Sequence, residues 1–343
     1  IGLHYGEEVV VQAFTCVAVP NSVLWAGARP VYADIDPKTL TLSPDDFEKK
    51  ITARTRAVVV QHTFGFPSDM RQILEIARAH NILVIEDCAH VLGATHEGKL
   101  LGTLGDAAFF SFGRDKAISS VFGGIAVTNN EILGKNLFLF QDSLPYAGFL
   151  WTAKQVIHPA LTSFIRSTHC KCAGRIGRIF LTIAIGFGII TKAVAGQEKK
   201  GKMPRWVLRK MPDVLSAFAW YQMQKLDRFN LHRRKIASRF RELLPEFVSQ
   251  PFDRGAVCLR YAIRTLDARA IAKTAKKKDI FLGDWYRQGV APAGVDLRAI
   301  QYDPLLCPEA ERAAREIINL PTDIHIQEKQ VRRIITLLKE FNG

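Results

Sequence analysis

The chain has 343 residues, of which 48% are hydrophobic and 23% are charged, a composition typical of globular proteins and not of disordered ones. This length is enough for one large hydrophobic core or two ordinary ones. The six cysteines are scattered without a framework spacing, which favours free thiols in a reducing cytoplasm over a disulfide scaffold. The first residues run directly into an apolar stretch without a charged leader, so no signal peptide is expected.

The net charge of +14 is concentrated in one part of the chain. Between Lys154 and Lys235 there are seventeen Lys or Arg residues and three acidic ones, so this segment carries the whole excess. The basic excess therefore belongs to one segment and needs a local explanation. No nucleic-acid partner is expected.

Residues 1–136 alternate between apolar strands and amphipathic helices, and are expected to form a large domain. Strands are predicted at EEVVVQAF, ARPVYADID, AVVVQHT and ILVIED, and helices at SPDDFEKKI, capped by Ser43, and SDMRQILEIARAH. The strands AAFFSF and GIAVTNN follow, joined by a turn that contains Lys116. Continuous valine and isoleucine runs separated by helices predict an α/β fold with a mostly parallel sheet covered by helices.

Residues 137–205 read as a hydrophobic and basic insertion. A helix with Trp151 and Phe164 on its apolar face precedes the run IFLTIAIGFGIIT, residues 179–191, which is apolar on every side. Thirteen residues are too few to span a bilayer, so lipid or protein must cover the run from outside. The cations at 175–202 suit anionic head groups and predict a peripheral contact at the inner face of the membrane. Packing against the large domain or across a dimer is the alternative.

Residues 206–343 are predicted to contain one long connecting helix from Leu215 to Phe240 and a small C-terminal α+β domain. The amphipathic sequence EKQVRRIITLLKEF predicts the closing helix.

An acid and an amine follow two strands of the predicted sheet. Asp87 ends ILVIED and Lys116 follows AAFFSF, so both should face one crevice at the carboxyl edge, where such sheets bind ligands. An amine can form a Schiff base with pyridoxal phosphate, and a carboxylate can hold the pyridine nitrogen protonated. Ser111 could donate to the phosphate, and Gly123 and Gly124 would allow a tight turn. The pair alone is equally compatible with a solvent-facing lysine and a strand-end cap.

Four stretches resemble the DegT/DnrJ/StrS family of sugar aminotransferases. The similarity covers roughly residues 6–130 and 206–343 and implies fold type I of the pyridoxal phosphate enzymes, the aspartate aminotransferase fold. The stretches that carry it are GEEVVVQAFTCVAVPNSVLWAGARPVYADID, VIEDCAHVLGA, GTLGDAAFFSFGRDK and MPDVLSAFAWYQMQKLDRFNLHRRKIA.

The resemblance implies a role for each matching position. Lys116 matches the lysine that holds the cofactor, Asp87 the carboxylate on the pyridine nitrogen, and Ser111 the phosphate-binding serine. His90 matches the residue that approaches the phenolic oxygen. Lys210 stands where the family has an asparagine that reaches the cofactor phosphate of the partner subunit. Three of these residues have an alternative interpretation. His90 is then a hydrogen-bonded histidine at the start of a helix, Ser111 an ordinary serine of a strand, and Lys210 part of a solvated basic surface.

The chain also departs from the family pattern. Cys16 occupies the position of the aromatic residue that stacks on the cofactor ring, Gly113 that of a histidine and Phe122 that of an acid. These changes bear on substrate preference more than on cofactor binding. Family members carry a further N-terminal stretch that helps cradle the phosphate, and this sequence begins after it. Either the sequence is a fragment or that part is supplied elsewhere.

The resemblance therefore implies a homodimeric aminotransferase with pyridoxal 5′-phosphate as cofactor. It would move an amino group from glutamate or glutamine to a nucleotide-linked keto-sugar. Sugar dehydration is one alternative, although the family's dehydratases replace the lysine by histidine. A non-catalytic scaffold is the other. The HCKC sequence at 169–172 lacks the four widely spaced ligands of structural zinc, so no metal is expected.

Overall fold

The computed structural model describes residues 2–169, 194–251 and 255–341. Strands alternate with helices in the first half, as the hydrophobic periodicity predicts. The strands are β1 Glu8–Gln12, β2 Thr15–Cys16, β3 Arg29–Ala33, β4 Thr55–Gln61, β5 Leu83–Asp87, β6 Thr95–His96, β7 Lys99–Leu100, β8 Ala107–Ser111, β9 Gly124–Val127, β10 Val248–Ser249, β11 Arg260–Arg264, β12 Val290–Ala291 and β13 Ile317–Pro321. The α-helices are α1 Ala18–Trp25, α2 Pro44–Lys49, α3 Met70–Ala79, α4 Glu131–Ser143, α5 Phe149–His169, α6 Asp213–Met223, α7 Leu226–Leu243, α8 Ala268–Lys277, α9 Pro308–Glu316 and α10 Glu328–Lys339.

The central sheet has six strands in the order β3-β1-β4-β5-β8-β9. All neighbouring pairs are parallel except β8 and β9, which run antiparallel. Every residue of β1 is buried, because this strand lies inside the sheet and has helices over its faces. The predicted α/β fold with a mostly parallel sheet is confirmed. Ser43 caps α2 as predicted and accepts a hydrogen bond from the Asp46 amide at 3.3 Å.

The sheet register places the ends of β5 and β8 side by side. Asp87, the last residue of β5, is the register partner of Phe109 in β8. Ser111, the last residue of β8, pairs with Gly124, where β9 begins. The segment between Ser111 and Gly124 therefore returns the chain at the same edge where β5 ends. Gly123 has a φ of +119°, which confirms the tight turn expected there.

The C-terminal part forms a second sheet in the order β10-β11-β13, with antiparallel pairing, and α8, α9 and α10 lie in the same part of the chain. A short strand from this part also pairs with a strand of the first half of the chain. Val290 and Ala291 of β12 pair with Thr15 and Cys16 of β2 in parallel. This pairing was not predicted, and it brings the residues just before β12 toward the carboxyl edge of the central sheet.

The single helix predicted from Leu215 to Phe240 is wrong. Helix α6 ends at Met223 and α7 begins at Leu226, because the backbone at Lys225 (φ −106°, ψ 1°) leaves the helical region. In the predicted insertion, α4 and α5 are described, whereas the apolar run 179–191 lies outside the described residues. Among the helices that the structure does describe, none combines the length and the apolar content needed to cross a membrane.

Candidate active site

Asp87 and Lys116 lie in one electrostatic environment at the carboxyl edge of the sheet. The Asp87 side chain is only 4% exposed, and its Oδ1 accepts a hydrogen bond from the Ala89 amide at 3.0 Å. Burial raises the pKa of Asp87, and the nearby Lys116 opposes that rise. Burial lowers the pKa of Lys116 in turn, and Asp87 and Cys16 oppose the fall. Asp87 and Lys116 therefore interact through their charges at this edge of the sheet, and their roles toward a cofactor stay predictions.

The backbone around Lys116 is fixed by hydrogen bonds from both sides. The Lys116 amide donates to the Gly113 carbonyl at 3.3 Å. On the other side, the Arg233 guanidinium in α7 donates to the Ala117 carbonyl at 2.7 Å. Arg233 is 5% exposed and also donates to Asn230 Oδ1 at 3.1 Å. Helix α7 therefore holds the turn that carries the lysine.

His90 is a buried neutral base packed among aromatic rings. Its Nδ1 accepts a hydrogen bond from the Phe64 amide at 3.2 Å, which leaves the proton of the neutral ring on Nε2. Burial and the neighbouring cations Lys116 and Arg260 hold the pKa of His90 well below 6.5. The Nε2 atom lies 3.5 Å from the Tyr286 hydroxyl. His90 is thus oriented by protein partners, and its role toward a cofactor's phenolic oxygen stays a prediction.

Two residues of the site come from the C-terminal part and were missed by the sequence analysis. The Trp285 ring stacks on the His90 ring with centroids 5.1 Å apart, and Lys116 Nζ lies 4.9 Å from the Trp285 centroid. The Arg260 guanidinium lies 5.1 Å from the same centroid. No local motif marks either residue, because the β2–β12 pairing and the second sheet position them.

Glu86, directly before Asp87, holds the end of β5 in place. The side chain is fully buried and accepts hydrogen bonds from the amides of Gly102, Leu104 and Gly105 at 2.7–2.8 Å. His62 Nε2 lies 3.1 Å from Oε2 of the Glu86 carboxylate. Cys88 completes a cluster with metal-ligand atom types, but the carboxylate already has four donors, and His62 Nδ1 accepts from the backbone. Within the described residues this cluster is a structural one.

The remaining predicted residues fall into two places. Ser111 Oγ accepts from the Gly113 amide at 3.3 Å, and a side chain built at Gly113 would touch both Ser111 and Lys116, so the serine lies beside the lysine. Cys16 is half-buried, and Lys116 affects its pKa, which burial raises. Lys210 lies elsewhere, with its amine 2.8 Å from Asp142 Oδ1.

Lys210 also lines an open, largely apolar cavity of about 1210 Å³ beside β9. Lys116 is not among the residues of this cavity. The structure therefore does not bring Lys210 into the Asp87–Lys116 site of its own chain, and its role toward a partner subunit stays a prediction.

A mostly parallel α/β sheet with these groups at its carboxyl edge is the fold of the type I pyridoxal phosphate transferases. The chain belongs to the DegT/DnrJ/EryC1/StrS aminotransferase family, which it matches over residues 1–172 and 193–339. This confirms the family that the sequence motifs indicate, and the family depends on pyridoxal phosphate.

The chain is similar to several named proteins and solved structures. It is 42% identical over 133 residues to a GDP-perosamine synthase of Escherichia coli O157:H7, a match of 39% of this chain and 36% of the synthase. The aligned segment thus spans little more than a third of that relative. A pleiotropic regulatory protein of Geobacillus stearothermophilus is 28% identical over 99% of this chain and 80% of its own length. Among solved structures, the aminotransferase TlmJ from Streptoalloteichus hindustanus shares the fold, with a TM-score of 0.73 and 24% identity over 99% of this chain and 80% of that chain.

Proposed function

We propose that the chain is a pyridoxal phosphate-dependent aminotransferase that moves an amino group from glutamate or glutamine to a nucleotide-linked keto-sugar. The observation that carries the proposal is the convergence of Asp87 and Lys116 from neighbouring strands of the sheet. The similarity to a GDP-perosamine synthase supports a sugar nucleotide as acceptor.

The residues present fit the cofactor by their chemistry. A half-buried primary amine, a buried carboxylate and a serine hydroxyl near the lysine side chain are the groups that an aldehyde, a pyridine nitrogen and a phosphate require. Lys116 would hold the cofactor, Asp87 its ring nitrogen and Ser111 its phosphate. When bound, pyridoxal phosphate supplies an electron sink for the bond that breaks at the donor's Cα.

Lys116 is suited to the proton transfers. Burial lowers the pKa of its amine, so a larger share of the amine is neutral near pH 7 than in water. A neutral amine at this position can take the proton from the donor's Cα and deliver it to C4′ of the cofactor. Arg233 keeps the turn that carries the amine in place through the Ala117 carbonyl.

Asp87 supplies the complementary charge. Its carboxylate is buried and burial raises its pKa, so the positive charge of a protonated ring nitrogen would stabilise the ionised carboxylate. His90 stays neutral because its pKa is well below 6.5, and its Nε2 proton is available as a donor. Both groups therefore favour the charge distribution of a protonated pyridine ring.

A second copy of the chain is proposed to complete the assembly. The surface that carries Lys210 is open and apolar, with Trp206, Met211 and Trp220 among its lining residues. Such a surface is typical of protein that is covered in the functional state. On this proposal the Lys210 amine exchanges its pairing with Asp142, an exposed acid, for the cofactor phosphate of the partner subunit.

The decisive experiment replaces the lysine. After incubation with pyridoxal phosphate, the 343-residue protein should show a visible absorbance band that borohydride removes, with cofactor attached to the peptide that contains Lys116. Lys116→Ala should abolish both the band and transamination of L-glutamate, whereas the matched control Lys99→Ala, at an exposed lysine, should change neither. A reducible band in Lys116→Ala would refute the lysine assignment. A colourless protein that cannot be reconstituted would favour the scaffold alternative.

The segment 175–202 keeps its proposed contact with anionic lipid at the inner face of the membrane. Support comes from the adjoining α5, where Phe149, Leu150 and Phe164 are exposed. In the described part of the segment, Lys199 donates to the Ala293 carbonyl and is therefore engaged with the protein. Flotation with anionic vesicles should recover the intact chain and not a variant lacking 175–202. If neither floats, protein covers the segment.

A further inference from the structure

Arg260 is a cation near the Asp87–Lys116 site, and the proposed function above assigns it no role. It is the first residue of β11, where it pairs with Pro321 of β13. The side chain is half-buried and lies over the Trp285 ring. It shifts the pKa of both Lys116 and His90 downward, so its charge acts inside the Asp87–Lys116 site.

In the part of the chain that the structure describes, the Arg260 guanidinium contacts an aromatic ring and not an oxygen acceptor. In the stretches 2–169, 194–251 and 255–341, no carboxylate or carbonyl oxygen receives a hydrogen bond from it, and its contact is with the face of the Trp285 ring. A neighbour on the same strand behaves differently, because Arg264 forms an ion pair with Glu316 and donates to the Pro37 carbonyl. A guanidinium that stacks on a ring keeps its N–H groups at the edge, in the fork that matches a carboxylate.

Trp285 is itself held firmly. Its amide donates to Asn319 Oδ1 at 3.0 Å, and Asn319 is a fully buried residue of β13. Arg260 and the anchor of Trp285 therefore belong to the same pair of hydrogen-bonded strands. The Trp285 backbone is anchored in this way and its ring packs on His90, so the ring offers Arg260 a positioned surface.

The distance to Lys116 suits an amino acid. Lys116 Nζ lies 4.9 Å and Arg260 Cζ 5.1 Å from the same ring centroid, so the two atoms are at most 10.0 Å apart. An amino-acid donor reacts with its amine at the position of the lysine amine and carries its carboxylates within a few bonds of it. Arg233 is already engaged with the Ala117 carbonyl. This leaves the Arg260 guanidinium as the arginine that can bind the carboxylate.

We propose that Arg260, stacked on Trp285, binds a carboxylate of the amino donor. This inference deepens the proposed transamination and rests on it for the identity of the donor. Arg260 contacts the substrate directly, and Trp285 is a positioning residue that acts through Arg260.

The first test measures the half-reaction with L-glutamate in the cofactor-loaded protein. Arg260→Gln should raise the glutamate concentration needed for half-maximal rate by about 10- to 100-fold, the loss expected for hydrogen bonds to a charged group. The maximal rate should change far less, because the contact exists before and during the reaction. Arg260→Lys should recover part of the affinity. The control Arg269→Gln, at an exposed arginine of α8, should match the parent protein.

The visible band of the attached cofactor separates the two proposals. A normal band with unchanged half-saturation in Arg260→Gln would overturn the role of Arg260 and leave the proposed function intact. A lower maximal rate at unchanged half-saturation would also overturn it, because that result indicates a disturbed site and not a lost donor contact.

The second test needs no cofactor. Binding of 2-oxoglutarate to the cofactor-free 343-residue protein should quench the part of the tryptophan fluorescence that Trp285→Phe removes. Arg260→Gln should weaken this binding at least 10-fold, and Arg269→Gln should not. Equal binding by the parent protein and Arg260→Gln, or no binding by either, would overturn the inference even if the cofactor never attaches.

Discussion

Glu86→Gln tests how firmly the end of β5, and with it Asp87, is held. Glutamine has the shape of glutamate but only one acceptor oxygen. In the parent protein Oε1 accepts from Leu104 and Gly105, and Oε2 accepts from Gly102 and faces His62 Nε2. His62 Nε2 must carry a proton, because Nδ1 accepts from the Ser68 amide.

In either orientation of the glutamine amide, its NH₂ group meets two donors. Two hydrogen bonds to a charged acceptor are therefore lost, at about 1.5–3 kcal/mol each, which gives a loss of about 3 to 6 kcal/mol. The group is fully buried, so water cannot replace the lost partners. This is a large share of the free energy of unfolding of an ordinary domain.

Urea unfolding at pH 7, followed by circular dichroism, should show this loss. The control Glu75→Gln, at an exposed position of α3, should stay within about 0.5 kcal/mol of the parent protein. A loss below about 1 kcal/mol in Glu86→Gln would refute the reasoning, since it would be close to the range of about 0.5 kcal/mol expected for a surface substitution.

The same pair of proteins should respond differently to acid. Burial alone would raise the pKa of Glu86, but the His62 contact and the backbone amides outweigh burial and hold it below the ordinary 4.5. A carboxyl with a lowered pKa in the folded state contributes stability above its unfolded pKa and loses it as the pH falls through the folded value. The stability difference between the parent protein and Glu86→Gln should therefore shrink below pH 4.5.

Three further predictions concern the site. Asp87→Asn should still attach the cofactor but slow the glutamate half-reaction at least about 100-fold, because an amide cannot hold the ring proton; a near-normal rate in single-turnover measurements would contradict this role. In the cofactor-free protein, an amine-labelling reagent should titrate Lys116 below its ordinary pKa of 10.5, and lower still in Asp87→Asn, since Asp87 raises that pKa; identical midpoints would contradict their coupling. A crystal structure of the dimer should place Lys210 nearer the partner's cofactor than its own, and a position on the outer surface would disprove this.

The sequence alone predicted the mostly parallel sheet and the placement of Asp87 and Lys116 at its edge. Valine-rich runs between amphipathic helices predict a parallel sheet, and parallel strands end at one edge, so Asp87 and Lys116 could be placed together before any coordinates. The cap at Ser43 and the turn at Gly123 were equally readable, because each depends on a residue type and its immediate neighbours.

The break between α6 and α7 could not be predicted from the sequence, because the apolar pattern continues across it. Only the backbone geometry at Lys225 shows where one helix ends. Propensity and periodicity constrain whole windows of residues, and a change of direction at one residue is decided by packing.

Tertiary structure alone decided what surrounds the lysine. Cys16 removes the aromatic residue that the family motif has at that position, and the sequence offers no local replacement. The structure places Trp285 and Arg260 near Lys116 through the β2–β12 pairing and the β11–β13 ladder. These residues are far apart in the chain, and their contacts depend on how the C-terminal part packs on the sheet. No periodicity or spacing in the sequence therefore predicts these contacts.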